Sequence, residues 1–144
     1  RRFDPMPRDV GRMGESDDLA DAYRFRTPSL RNVALTAPYG HNGAYPTLEA
    51  IVRHHLDPLH SRATWRRDDA ALPIAQWLEE IDFVIQSDGR EMARQSAKLD
   101  ITPRGLGDDE VANLVAFLHS LTGATARQRP MGRPETVPSG LPID

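Results

Sequence analysis

The apolar residues of this chain recur at three- and four-residue spacing in several segments, and no segment alternates apolar and polar residues as a strand would. Helices are predicted over residues 47–57 and 69–87 and from Asp108 to Gly123, with a weaker helix over 90–98. The predicted fold class is therefore all-α, with long connections between the helices.

Local signals mark where these helices begin and end. Thr47 is a candidate N-cap and Pro58 ends the first pattern. Pro73 fits only in the first turn of the second helix. Asp108 can cap the third helix, and Gly123 suits its C-cap.

The helices leave much of the chain irregular. A chain of 144 residues is long enough for one domain with a core. We assign residues 1–123 to that domain and residues 124–144 to an extended tail rich in proline and glycine. Residues 1–46 are mostly loop, and loops of this length are uncommon in a compact domain unless they have a function. A cofactor that fills part of the core would explain them.

Composition excludes several classes of partner and chemistry. The net charge of −3 gives no electrostatic reason to expect nucleic acid, and no apolar run is long enough to span a membrane. Without cysteine, the chain has no disulfide, no thiolate nucleophile and no cysteine ligand for a metal.

Two adjacent histidines lie in the first helix. His55 falls on the apolar stripe and is expected to point inward, whereas His54 lies at the edge of the stripe. An inward imidazole is either a metal ligand or a hydrogen-bonded core residue, and spacing alone leaves both interpretations open.

Other candidate residues lie in loops or on polar faces. His41 stands in a turn beside Asn42–Gly43, where it can face a ligand or bond to nearby backbone. Arg26 and Arg31 can clamp carboxylates or phosphates, or can be solvated surface groups. His60 and His119 lie outside the apolar stripes and are expected to face solvent.

Three stretches resemble a known family. They are Asp-x-Gly-Arg at residues 9–12, the run FRTPSLRNVALTAPYGHNGAYPTLEAIV from Phe25, and DDEVANLVAFLHSLTG from Asp108. Together they are similar to the C-terminal domain of bacterial di-haem cytochrome c peroxidases and the related MauG enzymes, over residues 9–59 and 107–123.

This resemblance implies two cytochrome c-like helical domains with one c-type haem each and a calcium ion between them. The N-terminal haem meets peroxide, and the C-terminal haem takes in electrons. The chain would then supply the second half of the electron-entry domain of a periplasmic enzyme. Its partners would be the N-terminal haem domain and an electron donor such as a small cytochrome or a cupredoxin.

The family attaches haem through a Cys-x-x-Cys-His motif upstream of Asp-x-Gly-Arg, and this chain has no cysteine. We therefore expect a fragment or processed product whose partner segment carries the haem, rather than a degenerate relative. The isolated chain is expected to be inactive.

The resemblance also assigns roles to individual residues. His55 matches the axial ligand of the C-terminal haem, where the peroxidases place methionine and MauG places tyrosine. His41 matches a histidine near the haem edge, and Arg26 and Arg31 are expected to pair with haem propionates. The backbone carbonyls of Thr36 and Pro38 match calcium ligands.

The function expected from this resemblance is the reduction of hydrogen peroxide by the complete enzyme. MauG-like oxidation of a residue on a partner protein is an alternative. Others are a non-catalytic electron-transfer module and a haem-free interaction domain.

Overall fold

A computed structural model describes residues 8–71, 75, 83–127 and 137–140. It confirms the all-α class, because the described residues contain helices and only two isolated bridges, Gly11 with Arg24 and Tyr39 with Tyr45. The α-helices are α1 Met13–Ser16, α2 Leu48–Leu56, α3 Pro58–Thr64, α4 Val84–Ser87, α5 Gly89–Ala97 and α6 Asp108–Ser120. Short 3-10 helices span Leu19–Asp21, Val33–Leu35, Arg67–Asp69 and Ala124–Arg127.

The first predicted helix is present as α2, and a second short helix, α3, follows it directly. Thr47 caps α2 as expected, since its hydroxyl accepts a hydrogen bond from the amide of Ala50 at 3.1 Å. The pattern ends at Leu56, and Asp57 caps a new helix whose first residue is Pro58, a position that needs no amide hydrogen. Leu59, which follows the apolar residues of α2 at helical spacing, belongs to α3.

The N-cap of helix α6 lies one residue earlier than the sequence indicated. Gly107, not Asp108, occupies the N-cap, and the carboxylate of Glu110 accepts the Gly107 amide at 2.8 Å. Asp108 is left free to pair with Arg53 of α2 at 2.8 Å. Beyond the last turn, the Gly123 amide donates to Oδ1 of Asn32 at 2.9 Å.

The predicted helix over 69–87 is not continuous. Ala70 is extended after the 3-10 turn that ends at Asp69, and Phe83 adopts a left-handed conformation with φ 65°. Residues 72–74 and 76–82, with most of the predicted apolar stripe, lie outside the described residues. The weaker helix predicted over 90–98 is present as α5, with Asp88 as its cap.

The tail prediction is only partly covered by the structure. Its first residues form the 3-10 helix Ala124–Arg127, and residues 137–140 include a turn. The remainder of 124–144 lies outside the described residues, so the extended tail stays a prediction.

The core is built where α2 packs against α6 and the 3-10 helix Val33–Leu35 packs on the same helix. Within the described part of the chain, the buried apolar residues are Ala22, Tyr39, Leu48 and Val111, and of these Val111 is fully buried. By contrast, Leu114 and Phe117 on α6 are 39% and 55% exposed. This helix thus presents apolar side chains on one side to its neighbours and on another side to solvent.

A buried carboxylate ties α5 to the N-terminal loop. Glu91 has no exposed surface and accepts the hydroxyl of Tyr23 at 2.5 Å. Arg8 and Arg94 lie 3.4 and 3.2 Å from the same carboxylate. Burial by itself would raise the pKa of Glu91, but the hydrogen bond from Tyr23 and those from the two arginines outweigh it and lower the pKa.

The lowered pKa of Glu91 predicts an acid-sensitive contribution to stability. It is present above the ordinary glutamate pKa of 4.5 and is lost as pH falls through the lower pKa of the folded state. Glu91→Gln in the complete protein should cost about 1–3 kcal/mol at neutral pH, because Tyr23 loses a charged acceptor. It should also flatten the acid limb of a stability–pH curve measured by urea unfolding. Glu15→Gln on exposed α1 is the control, and equal losses for the two variants would contradict the prediction.

Candidate functional site

His55 lies in the last turn of α2 with its Nδ1 atom 2.9 Å from the carbonyl oxygen of Ile51. Because a carbonyl only accepts, Nδ1 must carry the proton of this hydrogen bond. In the neutral ring the Nε2 lone pair is then available, which is the form in which histidine binds a metal. The side chain is exposed among the described residues.

His54, not His55, is the half-buried histidine of the pair. Its Nδ1 atom lies 2.8 Å from the hydroxyl of Tyr45 and 3.2 Å from that of Ser61, and those two hydroxyls are 3.0 Å apart. Burial lowers the pKa of His54, and the nearby charges of His55 and Arg62 lower it further. The expectation that His55 is the inward histidine is therefore wrong within the described chain.

His54 is covered instead of His55 because the helix breaks after Leu56. The chain turns at Asp57 and forms α3, which brings Ser61 beneath His54 and covers that side of the helix. His55 lies on the same side of α2 as Leu48, as periodicity indicated, but Leu48 is buried whereas His55 is exposed. Its assignment as an iron ligand is untested and stays a prediction.

Large apolar side chains from several separate segments are also uncovered. Among the described residues, the large apolar side chains that are at least 39% exposed are those of Leu19, Phe25, Leu30, Leu35, Leu59, Ile101, Leu114 and Phe117. Where such side chains adjoin one another, they are typical of a face that contacts another molecule or segment.

His41 forms an ion pair that sequence spacing did not indicate. Its Nε2 atom lies 2.7 Å from Oδ2 of Asp9, and its ring stacks on Phe25 with centroids 4.1 Å apart. The other oxygen of Asp9 accepts the amide of Gly11 at 2.9 Å. The Gly11 hydrogen bond is the main cause of a lowered pKa at Asp9; burial opposes it, and His41 lowers the pKa further. The first motif of the family resemblance is thus joined to the second.

Arg26 and Arg31 are exposed, and neither side chain has an ion pair or hydrogen bond to any described residue. Other arginines are engaged: Arg53 bridges Glu49 and Asp108, and Arg62 donates to the carbonyl of Met92 at 2.8 Å. The guanidinium donors of the two candidate arginines are thus not engaged by any described residue. His60 and His119 are exposed, as predicted.

Thr36 and Pro38 flank the cis peptide between Ala37 and Pro38 and are both exposed. The Thr36 hydroxyl donates to the carbonyl of Val33 at 3.0 Å. In the part of the chain that the structure describes, neither the Thr36 nor the Pro38 carbonyl oxygen accepts a hydrogen bond. No three side chains of His, Asp or Glu gather as a metal site among those residues. A calcium site here would therefore depend on carbonyls and on ligands from elsewhere.

None of the helices in the described ranges combines the length and the apolar composition needed to cross a membrane.

Curated proteins similar to this chain fall into one group. A cytochrome c peroxidase of Denitromonas iodatirespirans is 33% identical over 80% of the chain and 22% of its own length. The methylamine utilization protein MauG of Paracoccus denitrificans is 34% identical over 74% of the chain and 24% of its own length. The cytochrome c551 peroxidase of Pseudomonas aeruginosa is 31% identical over 83% of the chain and 22% of its own length.

The chain thus spans 22% to 24% of the length of these relatives. No protein-family model matches it, and no solved structure matches it. Relatives of this kind are haem-dependent oxidoreductases. The alignments confirm the resemblance seen in the sequence, and the chain belongs to the di-haem cytochrome c peroxidase and MauG family.

Proposed function

We propose that this chain is the C-terminal portion of the electron-entry haem domain of a di-haem cytochrome c peroxidase, and that His55 binds the iron of that haem. The observation that carries the proposal is the state of His55. Its Nδ1 proton is held by the Ile51 carbonyl at 2.9 Å, and the ring is exposed in the last turn of α2. With Nδ1 acting as the donor, the lone pair of an uncharged ring lies on Nε2, and an imidazole binds iron in that form.

The surroundings fit a haem c attached through another segment. Exposed apolar side chains such as those of Phe25, Leu30 and Leu35 suit contact with a porphyrin. Arg26 and Arg31, which form no ion pair with any described residue, can bind its propionates. His41, stacked on Phe25, is assigned to the haem edge. When bound, the haem supplies one-electron redox chemistry, which protein side chains of this type cannot provide.

The chain's residues set the environment of that chemistry. Imidazole in place of the methionine of the peroxidases favours the ferric state and so lowers the reduction potential. The complete enzyme would reduce hydrogen peroxide in the periplasm, with electrons supplied by a small cytochrome or a cupredoxin. Its N-terminal haem domain and haem-attachment segment would be the partners of this chain.

A second candidate is oxidation of a residue on a partner protein. The alignment with the methylamine utilization protein MauG, at 34% identity over 74% of the chain, favours it. A non-catalytic electron-transfer module is the third. Turnover of hydrogen peroxide by the haem-bearing protein, with a reduced small cytochrome as donor, supports the first candidate and excludes the third.

The ligand assignment predicts the spectra of three variants of the haem-bearing protein. His55→Gly should open a coordination position and convert a six-coordinate, low-spin haem partly to high spin. His55→Met should keep six-coordination and raise the reduction potential, because a thioether favours ferrous iron. His60→Gly, which removes an exposed histidine of α3, is the control and should change neither the absorption spectrum nor the potential. An unchanged spectrum for His55→Gly would refute the assignment.

We also propose that the carbonyls of Thr36 and Pro38 bind calcium together with an asparagine of the N-terminal domain. Two exposed carbonyl oxygens without a hydrogen bond in the described chain suit a hard cation. Treatment of the complete enzyme with a strong chelator should lower its activity, and added calcium should restore it. An enzyme that is indifferent to the chelator and contains no calcium by elemental analysis would sink this proposal.

A further inference from the structure

The hydrogen bonds around His54 form a closed group of three side chains. Tyr45, Ser61 and His54 lie within 2.8 to 3.2 Å of one another through Oη, Oγ and Nδ1. In one arrangement Ser61 donates to Tyr45 and Tyr45 donates to Nδ1, which satisfies the two hydroxyl donors and the ring nitrogen together. The rings of Tyr45 and His54 are also in contact, with centroids 4.7 Å apart.

Both hydroxyls come from elements that are themselves held in place. The backbone of Tyr45 pairs with that of Tyr39 through hydrogen bonds of 2.7 and 3.0 Å. Ser61 lies on α3, and its neighbour Arg62 donates to Met92 and Ser96 of α5. The side chain of His54 is therefore held by two separate segments, one before α2 in the sequence and one after it.

Fixing His54 has a geometric consequence for His55. Successive residues of a helix are about 100° apart around its axis, so a helix turn that is held at one residue is held at the next. The two rings meet edge to face with centroids 5.6 Å apart. His55 points away from the group that binds His54, to the side that is exposed.

We propose that Tyr45 and Ser61 are positioning residues: by binding His54 they fix the rotation of the last turn of α2, so that His55 alone presents a free ring nitrogen to the haem iron. This inference rests on the proposed role of His55. Where Tyr45 donates to Nδ1 of neutral His54, Nε2 carries the ring proton, so neither nitrogen of that imidazole offers a lone pair to the metal. Two adjacent histidines are thereby given different tasks by their neighbours on α3 and in the turn before α2.

Tyr45→Phe tests the proposal sharply, because it keeps the ring contact with His54 and removes only the hydroxyl. Ser61→Ala removes the other hydroxyl. Each variant of the haem-bearing protein should lose the uniformity of its ferric low-spin electron paramagnetic resonance signal, through a second low-spin species or a high-spin fraction. A roughly fivefold change in the ratio of the species is expected from the loss of one hydrogen bond. The reduction potential should shift as well.

Tyr39→Phe is the matched control. Tyr39 is buried, and its hydroxyl donates to the carbonyl of Val33 at 3.0 Å, so this change also deletes one tyrosine hydrogen bond. It should lower stability and leave the resonance signal unchanged. A signal altered equally by Tyr39→Phe and Tyr45→Phe would overturn the proposal, since the effect would then come from general loosening.

A double-variant cycle tests whether Tyr45 acts through His54. In a His54→Ala background, Tyr45→Phe should change the signal no further, whereas independent roles would give additive changes. The positioning role would be refuted if Tyr45→Phe and Ser61→Ala both gave the signal of the unaltered protein. The proposed function would remain intact in that case if His55→Gly gave a high-spin signal. An unaltered signal for His55→Gly would refute the proposed function itself.

Discussion

The packing of α2 against α6 is the contact on which the rest of the structure depends. Leu48 and Val111 are buried in it at 6% and 1% exposure, and Arg53 reinforces it from the rim by reaching Asp108. The ion pair lies at the surface and contributes little energy, so apolar burial has to hold the two helices together. The described chain has few other buried apolar side chains, so this contact holds α2 in place. It thereby positions the candidate site at the C-terminal end of α2.

Helix periodicity predicted the two helices that form this contact, because helix formation depends on local spacing. Thr47 and Leu48 open α2 as the sequence indicated, and Val111 is the innermost residue of α6. The failures are of a different kind. Asp108 was expected to cap its helix, but its carboxylate pairs with Arg53 of α2. Spacing within one segment does not reveal a competing partner on another helix.

The assignment of the histidines shows the same limit. Periodicity placed His55 on the apolar stripe correctly, yet burial depends on what lies opposite, and α3 covers His54 instead. Nothing in the sequence signalled that Ser61 and Tyr45, 16 residues apart, meet at Nδ1 of His54. Asp9 and His41 are 32 residues apart and were likewise read only as parts of separate motifs. The family resemblance named His55 and His41 as site residues, but the side-chain partners around them became visible only in the coordinates.

Asn32 limits how this sequence can change. Its backbone is left-handed, with φ 60°, its amide donates to the Leu121 carbonyl at 3.1 Å, and its side-chain oxygen accepts the Gly123 amide. Glycine would adopt the left-handed backbone but has no side-chain oxygen for the Gly123 amide, and most other residues would provide neither feature. Asparagine provides the backbone conformation and the acceptor, and aspartate is its nearest substitute. The loop that carries Arg31 is thereby fastened to the end of α6, so a displacement of that helix would be transmitted to the arginine without any contact between them.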